Sequence, residues 1–481
     1  MGTFTLKIIK NYLYNTAYQL FAIIVPLITT PYITRTLGST GVGVYAYTNS
    51  VIQYFVLFGS IGISMYGNRL IAFDRDNNEK LSEDFWSLVV IRTVTIVIAY
   101  VAFIVYLVFV GEYRNEYLYQ SIQIVAVIFD ISWLFMGLED FKRTVLRSFI
   151  VKLFSTIAIF VFVRDPSSVG VYILILSVST LLGNILLWSY IKSFVISPRG
   201  LTLTFNKHIL GSLKLFVPQI SMQVYLVLNK TMLGSIDGVK SAGFYENSDK
   251  IIKISLTVIT AIVTVMMPRM ANTFAKKKFD QLHNYLYQTL DFVSFASILL
   301  AAGLAAVAPT FSIWFMGESF SETGRLIPVL ALIGPMIAWS TVLGSQFLVM
   351  TRREHQFTIS VTVGAIINVL ANILLIKNQG TMGAVIATVL AETCVTLIDL
   401  FFVSKAIPNF SGLSGKWKYI LAGAMTFGII RCINYKLPGT FVSLLFQGVI
   451  CVIVYFAICV ATSSSFTNTI IRTIKQRKAT N

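Results

Sequence analysis

Four charged side chains within the apolar segment 241–268 have the spacing of a single helical face. Glu246, Asp249, Lys250 and Lys253 stand at i, i+3, i+4 and i+7, which at 3.6 residues per turn places them on one side of a helix. Both lysines would lie roughly 13–18 Å from the outer end of such a helix. A charge at that depth in a membrane costs at least ~2.5–3.5 kcal/mol unless water or a partner compensates for it. The four residues therefore predict a polar face beside water, with Lys250, Lys253 and Glu246 as candidate binding residues. The alternative is that Glu246 and Lys250 neutralise each other in a dry helix contact.

An internal repeat links this face to an earlier segment of the chain. Three residues recur 200 positions later without a gap, namely Gly43, Tyr45 and Arg69 as Gly243, Tyr245 and Arg269. The repeat places Ala46, Asn49, Ser50 and Gln53 at the positions of the four charged residues. Parallel repeats in transporters are related by an axis along the membrane normal, and substrate binds where the repeats meet. We therefore expect Asn49, Ser50 and Gln53 to line a hydrated cavity opposite the charged face.

Other acidic residues within apolar segments are candidates for coupling transport to an ion, H⁺ or Na⁺. Asp130 has the same predicted depth as Arg92 and Lys152, so it could pair with either of them, for stability or for ion coupling. Glu392 and Asp399 have no evident basic partner on their own helix. The ion-coupling candidates are therefore Asp249, Asp130, Glu392 and Asp399.

The elements that position these residues are predicted to be membrane-spanning helices. Of the 481 residues, 56% are hydrophobic and only 12% are charged, which is far from the composition of soluble domains. About 14 apolar stretches are long enough to span ~30 Å of hydrocarbon. They cover residues 11–34, 41–68, 85–110, 117–138, 143–163, 168–191, 208–234, 241–268, 285–308, 324–350, 357–377, 380–404, 416–436 and 440–462.

The repeat and the spans together predict an all-α polytopic membrane protein with two pseudo-symmetric six-helix lobes and two additional helices. The lobes would cover residues 1–197 and 205–410, and residues 411–481 would form the two additional helices and a basic cytoplasmic tail. No gap between spans exceeds about 20 residues, which leaves no room for a folded catalytic domain outside the membrane. We therefore expect a protein that is not an enzyme.

Basic residues are distributed unevenly between the two sets of alternating loops. One set contains 24 Lys and Arg residues, the other contains 8, and the remaining 6 of the 38 lie within spans. Short loops rich in Lys and Arg stay in the cytoplasm, so both termini are predicted to be cytoplasmic. The net charge of +17 then reflects these loops and suits anionic membrane lipids rather than nucleic acid.

Cysteine and histidine give no sign of a metal or cofactor site. The four cysteines lie within predicted spans without a Cys-x-x-Cys pair, and the three histidines are far apart in the sequence. We expect no metal and no cofactor.

Several segments resemble bacterial polysaccharide repeat-unit flippases of the Wzx type, relatives of multidrug and toxin extruders and of lipid II flippases. The resemblance covers nearly the whole chain, and the segments that carry it are residues 133–142, 147–152, 229–234, 243–253 and 267–270. Relatives often have an acid before Lys230, where this chain has Asn229. That departure weakens the case for acid-dependent coupling at this position.

The resemblance implies a transporter in the cytoplasmic membrane that functions in polysaccharide, including exopolysaccharide, biosynthesis. It would flip oligosaccharides linked to undecaprenyl diphosphate from the inner to the outer leaflet by alternating access, with a polysaccharide polymerase as a further partner. A diphosphate suits Lys250 and Lys253, because ammonium groups bind such anions strongly where water is scarce. The alternatives are a lipid II flippase, an ion-coupled drug antiporter and, from another class, an intramembrane polymerase or ligase.

Overall fold

The computed structural model describes residues 2–468, with side chains at residues 21, 23–216, 220, 223 and 227–468. The described residues form helices and connecting turns and contain no strand. The predicted basic tail from residue 469 onward lies outside them. The α-helices are α1 (Gly2–Ser60), α2 (Ile63–Asp74), α3 (Asn78–Phe109), α4 (Arg114–Ile128), α5 (Ser132–Gly137), α6 (Phe141–Phe162), α7 (Val169–Trp188), α8 (Asn206–Ile236), α9 (Val239–Ala275), α10 (Phe279–Met316), α11 (Thr323–Leu330), α12 (Ile333–Ser340), α13 (Glu354–Ala406), α14 (Trp417–Lys436) and α15 (Phe441–Ala461).

Two glycines divide the longest helices into parts that can each span a membrane. Gly38 in α1 has φ 67° and Gly380 in α13 has φ 53°, outside the helical region. Glycine adopts such a conformation without the steric cost that a side chain would add. The breaks lie between predicted spans 11–34 and 41–68 and at the start of span 380–404.

The helices have the length and composition of membrane spans. Eight of those described are long and apolar enough, and the bent pair Thr323–Leu330 and Ile333–Val349 makes a ninth. Two of the eight, Ile23–Asp74 and Glu354–Ala406, each cover two of the predicted spans. All 14 predicted spans coincide with helical segments, so the predicted all-α polytopic membrane fold is confirmed.

The chain forms two compact units, Met1–Ser235 and Ile236–Asn481. In the first, α8 packs with the preceding helices: His208 at its start lies 3.2 Å from Asp84 of α3, and Thr231 near its end donates to Ser50 of α1. The proposed lobe limits at residues 197, 205 and 410 stay a prediction. The second unit contains α9 to α15.

Each unit has an apolar core, and large apolar side chains also cover its outer surface. In the first unit Phe85, Trp133 and Phe135 are almost completely buried. In the second unit Val442, Val452 and Ile453 on α15 are more than half exposed. An apolar exterior of this kind fits contact with acyl chains rather than water.

Candidate functional site

The charged face predicted on α9 is present. Lys253 Nζ lies 2.7 Å from Asp249 Oδ2, one helical turn away. Asp249 is 8% exposed, whereas the Lys253 side chain is 42% exposed. Lys253 therefore reaches out of the packed core while its ammonium group stays paired with a buried carboxylate.

The other two residues of this face, Glu246 and Lys250, are only partly exposed. They are one helical turn apart and their charges interact. Along α9 the signs run acid, acid, base, base, so each lysine follows an acid at i+4. Acid-before-lysine is the more favourable orientation of an i, i+4 pair on a helix.

The Asp249–Lys253 ion pair bears on the predicted roles of both residues. Asp249 was predicted as an ion-coupling residue and Lys253 as a phosphate ligand. A lysine bonded to a carboxylate can bind an anion only by exchanging one partner for the other. The i, i+4 spacing would have been enough to predict this pair.

The three polar candidates on α1 have different surroundings. Ser50 is fully buried; its hydroxyl donates to the Tyr47 carbonyl at 2.6 Å and accepts from Thr231 Oγ1 at 2.8 Å. Ser50 thus holds α8 against α1. The sequence predicted that Ser50 lines a hydrated cavity, whereas here its side chain is enclosed. The reason is that α8 covers this side of α1, which the alignment with α9 could not reveal.

Gln53 and Asn49 are both partly buried. Gln53 Nε2 donates to Gln123 Oε1 at 3.2 Å, and Gln123 Nε2 donates to Ser177 Oγ at 3.4 Å. These side chains link α1, α4 and α7 in one polar row. Gln123 and Ser177 were not among the residues predicted from the sequence. A single polar residue on an apolar helix does not form the repeated helical spacing by which the charged face of α9 was found.

Asp130 takes part in a buried polar junction in the first unit. Arg92, which is 2% exposed, donates to the Asp130 carbonyl oxygen and, at 2.6 Å, to Ser64 Oγ. Its Nη1 is 3.9 Å from Asp130 Oδ2. Asp130 Oδ1 accepts from the Ser132 amide at 3.0 Å, between α4 and α5. Arg92, one of the two partners left open by the sequence, is therefore in contact with Asp130.

Asp399 on α13 is the most enclosed of the acidic candidates. It is 0% exposed, and its Oδ2 accepts from Ser340 Oγ at 2.7 Å. Its Oδ1 is in hydrogen-bond contact with Ser360 Oγ. Glu392 lies seven residues earlier on the same helix and is partly buried. Among the described residues no basic side chain pairs with Asp399.

Two further buried contacts of acidic side chains were not predicted. His208 Nε2 lies 3.2 Å from Asp84 Oδ1, and Nδ1 lies 3.2 Å from the Tyr66 hydroxyl. Asp291 of α10 binds the ammonium group of Lys416 and accepts from the Tyr419 hydroxyl at 2.9 Å. The partners are 124 and 125 residues apart in the sequence, so no local spacing could have indicated them.

Comparison with known families decides the kind of protein to which this arrangement belongs. The model of a family described as "Polysaccharide biosynthesis protein" matches residues 8–274, more than half of the chain. The chain belongs to this family. The matched residues include most of α1, all of α2 to α8 and nearly all of α9 with its charged face, and the resemblance stated from the sequence is confirmed.

Individual relatives match this chain over most of their length. A "Putative O-antigen transporter" of Escherichia coli (strain K12) is 23% identical over 411 residues, which is 84% of this chain and 98% of the relative. A "Probable flippase AglR" of Haloferax volcanii (strain ATCC 29605) is 22% identical over 426 residues, which is 86% of this chain and 87% of the relative.

Solved structures resemble the family member in fold. A lipid II flippase MurJ in an inward closed conformation aligns with a TM-score of 0.75 and 18% identity, covering 96% of this chain and all of the other. An inward-facing multidrug resistance MATE family transporter aligns with a TM-score of 0.60 and 11% identity, covering 80% and 98%. The chain therefore has the polytopic fold of these transporters.

Proposed function

We propose that this protein is a flippase that moves oligosaccharide repeat units, linked to undecaprenyl diphosphate, from the inner to the outer leaflet of the cytoplasmic membrane. The observation that carries the proposal is the match to a relative named as an O-antigen transporter, which covers 98% of that relative's length. The family description, polysaccharide biosynthesis, fits the same role. Transport by alternating access and a cytoplasmic location of both termini belong to the proposal.

The diphosphate would bind to Lys250 and Lys253. Two ammonium groups one turn apart match a ligand with two adjacent phosphates, and the low dielectric of the membrane strengthens their attraction. Because Lys253 is bonded to Asp249, the incoming diphosphate takes the place of that carboxylate. The exchange gives a reversible site, which a transporter needs in order to release its cargo.

Sugar hydroxyls would hydrogen-bond to Glu246, Asn49 and Gln53. Amide and carboxylate groups can both serve hydroxyls, which donate and accept. Ser50 is left out of the proposed site because both of its hydrogen-bond partners lie within the protein. The lipid part of the substrate would stay among membrane lipids, and the sugars would pass to a polysaccharide polymerase.

The proposal includes no catalytic step, so the protein acts as a transporter and not as an enzyme. Energy for directed transport would come from Na⁺ or H⁺ through one of the acids Asp249, Asp130, Glu392 or Asp399. Two of these acids already have a basic partner, since Asp130 is in contact with Arg92 and Asp249 is bonded to Lys253. Asp399, which has no basic partner among the described residues, is favoured.

A complementation experiment tests the proposal in cells. In a strain that lacks the gene, the double variant Lys250→Gln/Lys253→Gln should abolish surface polysaccharide, whereas Lys250→Arg/Lys253→Arg should retain part of it because the charges persist. Lys240→Gln changes an exposed lysine at the start of the same helix and serves as the control. Normal surface polysaccharide with the double Gln variant, at wild-type protein level in the membrane, would refute the proposed site.

A further inference from the structure

The second unit has a three-helix junction centred on a carboxyl group that is closed off from solvent. Asp399, Ser360 and Ser340 are 0%, 0% and 8% exposed, respectively. Ser340 ends α12, Ser360 lies in the first part of α13, and Asp399 lies in the part of α13 after Gly380. The junction therefore joins three successive membrane segments through the oxygen atoms of one carboxyl group.

The backbone beside the junction is unusual. A π-helix, Thr341–Val349, begins directly after Ser340. Such helices are rare and occur often at functional sites. A Cβ atom on Gly344 in this segment would lie 3.0 Å from Asp399 Oδ2. The π-helix thus brings bare backbone against the carboxyl group, which excludes water from that side.

If Asp399 were ionised, the single hydroxyl hydrogen of Ser360 could serve only one of two acceptor oxygens beside it. Ser360 Oγ lies 2.8 Å from the Phe357 carbonyl oxygen and is also in contact with Asp399 Oδ1. A carbonyl and an ionised carboxylate are both acceptors, yet a hydroxyl has a single hydrogen to donate. A proton on Oδ1 resolves the conflict: Asp399 then donates to Ser360, and Ser360 donates to Phe357. Ser340 donates to Oδ2 at 2.7 Å in either case.

The electrostatic surroundings favour the same state. Within the described residues, the charged group that acts on Asp399 is Glu392, an acid on the same helix. Four ionisable side chains on this helix and on the helices around it have contacts elsewhere: Lys253 with Asp249, Asp291 with Lys416, Arg325 with Glu322 and Lys405 with the Phe401 ring. A buried carboxylate without a cation is costly and becomes neutral by taking up a proton.

A metal cation fits the junction less well than a proton. A cation held by oxygen ligands lies between them and keeps them apart. Here the oxygens of Ser340 and Asp399 are 2.7 Å apart, which is the separation of a direct O–H···O hydrogen bond. The space that Na⁺ would occupy is taken by that hydrogen bond.

We propose that Asp399 is a proton-binding site that holds the α12, π-helix and α13 junction closed. In this conformation the proton on Oδ1 bridges to Ser360 Oγ. Its release leaves an unneutralised carboxylate in a closed site, so deprotonation favours separation of Ser340 and Ser360 from Asp399 and entry of water. The proposed protonation of Asp399 is argued from the geometry of the junction and does not depend on the proposed function. Only the use of this proton to drive transport depends on the protein being a flippase.

Infrared difference spectroscopy on the full chain in lipid nanodiscs tests the site without any transport assay. At pH 7 the wild type should show the C=O stretch of a protonated carboxyl group. That band should vanish in Asp399→Asn, stay in Glu392→Gln and shift in Ser360→Ala, which removes its hydrogen-bond partner. Asp399→Asn keeps the shape of a neutral carboxyl group, so its fold is expected to persist.

Two results would overturn the proposal. One is a spectrum at pH 7 whose protonated-carboxyl region is the same in the wild type and Asp399→Asn. The other is loss of the band when sodium chloride replaces choline chloride, which would indicate a cation site. Because neither measurement uses substrate, failure here leaves the flippase proposal standing. Loss of transport in the lysine variants is likewise independent of the infrared band.

Discussion

On α9, Lys253 lies one turn after Asp249, with 2.7 Å between Nζ and Oδ2. The pair sets the charge that a bound anion would meet at this position. Asp249 Oδ1 is buried and has no hydrogen-bond partner among the described residues. The carboxylate is therefore held by Lys253 through one oxygen only, and the pair can exchange Asp249 for another anion.

Replacing Asp249 with Asn should tighten the binding of undecaprenyl diphosphate. The lysine would no longer be shared with an internal anion, and partly exposed ion pairs are worth about 0.2–1 kcal/mol. We expect the Kd to fall by about 1.4-fold to fivefold, since 1.4 kcal/mol corresponds to tenfold. Equilibrium binding of undecaprenyl diphosphate to the protein in nanodiscs measures the change. Asp280→Asn, at an exposed acid in the first turn of α10, is the control, and weaker binding to Asp249→Asn would count against the exchange.

Replacing Lys416 with Met should destabilise the attachment of α14 to α10. Lys416 is 7% exposed and pairs with Asp291, itself 7% exposed. Removing one partner of a buried ion pair typically costs 3–5 kcal/mol because the other charge stays behind. We expect a loss of about 3 kcal/mol in the free energy of unfolding in detergent, partly recovered in Lys416→Met/Asp291→Asn. Lys436→Met, at an exposed lysine on the same helix, should have no measurable effect. Equal stability of Lys416→Met and the wild type would show that this pair is not needed.

A methyl group at Gly344 should disturb the π-helix. Its Cβ would lie 2.3 Å from the Phe357 ring and 3.0 Å from Asp399 Oδ2. Overpacking of this kind usually costs about 1–3 kcal/mol. Thermal unfolding of Gly344→Ala should show this loss of stability. The double variant Gly344→Ala/Phe357→Leu should lose less stability than Gly344→Ala alone. Gly448→Ala on α15 meets no atom within 4 Å and should be neutral or slightly stabilising, since alanine favours helices. A wild-type melting temperature for Gly344→Ala would contradict this close packing.

The helical membrane spans could be predicted from the sequence, because the length of an apolar stretch depends on the bilayer and not on partners far along the chain. Equal predicted depth gave Arg92 and Lys152 as possible partners of Asp130, and Arg92 is in contact with it. The breaks at Gly38 and Gly380 fall at or beside predicted span ends.

Contacts across helices could not be predicted in the same way. Helical periodicity places Ser50 on a face of α1 but does not say that Thr231 covers that face. Ser340 and Ser360 are 59 and 39 residues before Asp399, and each is one small polar residue on an apolar helix. Which side chains meet is set by the packing of whole helices, so the enclosure of Asp399 emerged only from the structure.

The most direct test of the account measures translocation in vesicles. Purified protein would be reconstituted with undecaprenyl-diphosphate-linked oligosaccharide, and the rate at which the sugars become accessible on the opposite leaflet would be recorded. Loss of two charge contacts should reduce the rate for Lys250→Gln/Lys253→Gln by at least about 30-fold, equivalent to ~2 kcal/mol, while Lys240→Gln keeps the wild-type rate. A double variant that flips the substrate as fast as the wild type would contradict the assignment of these lysines to the diphosphate.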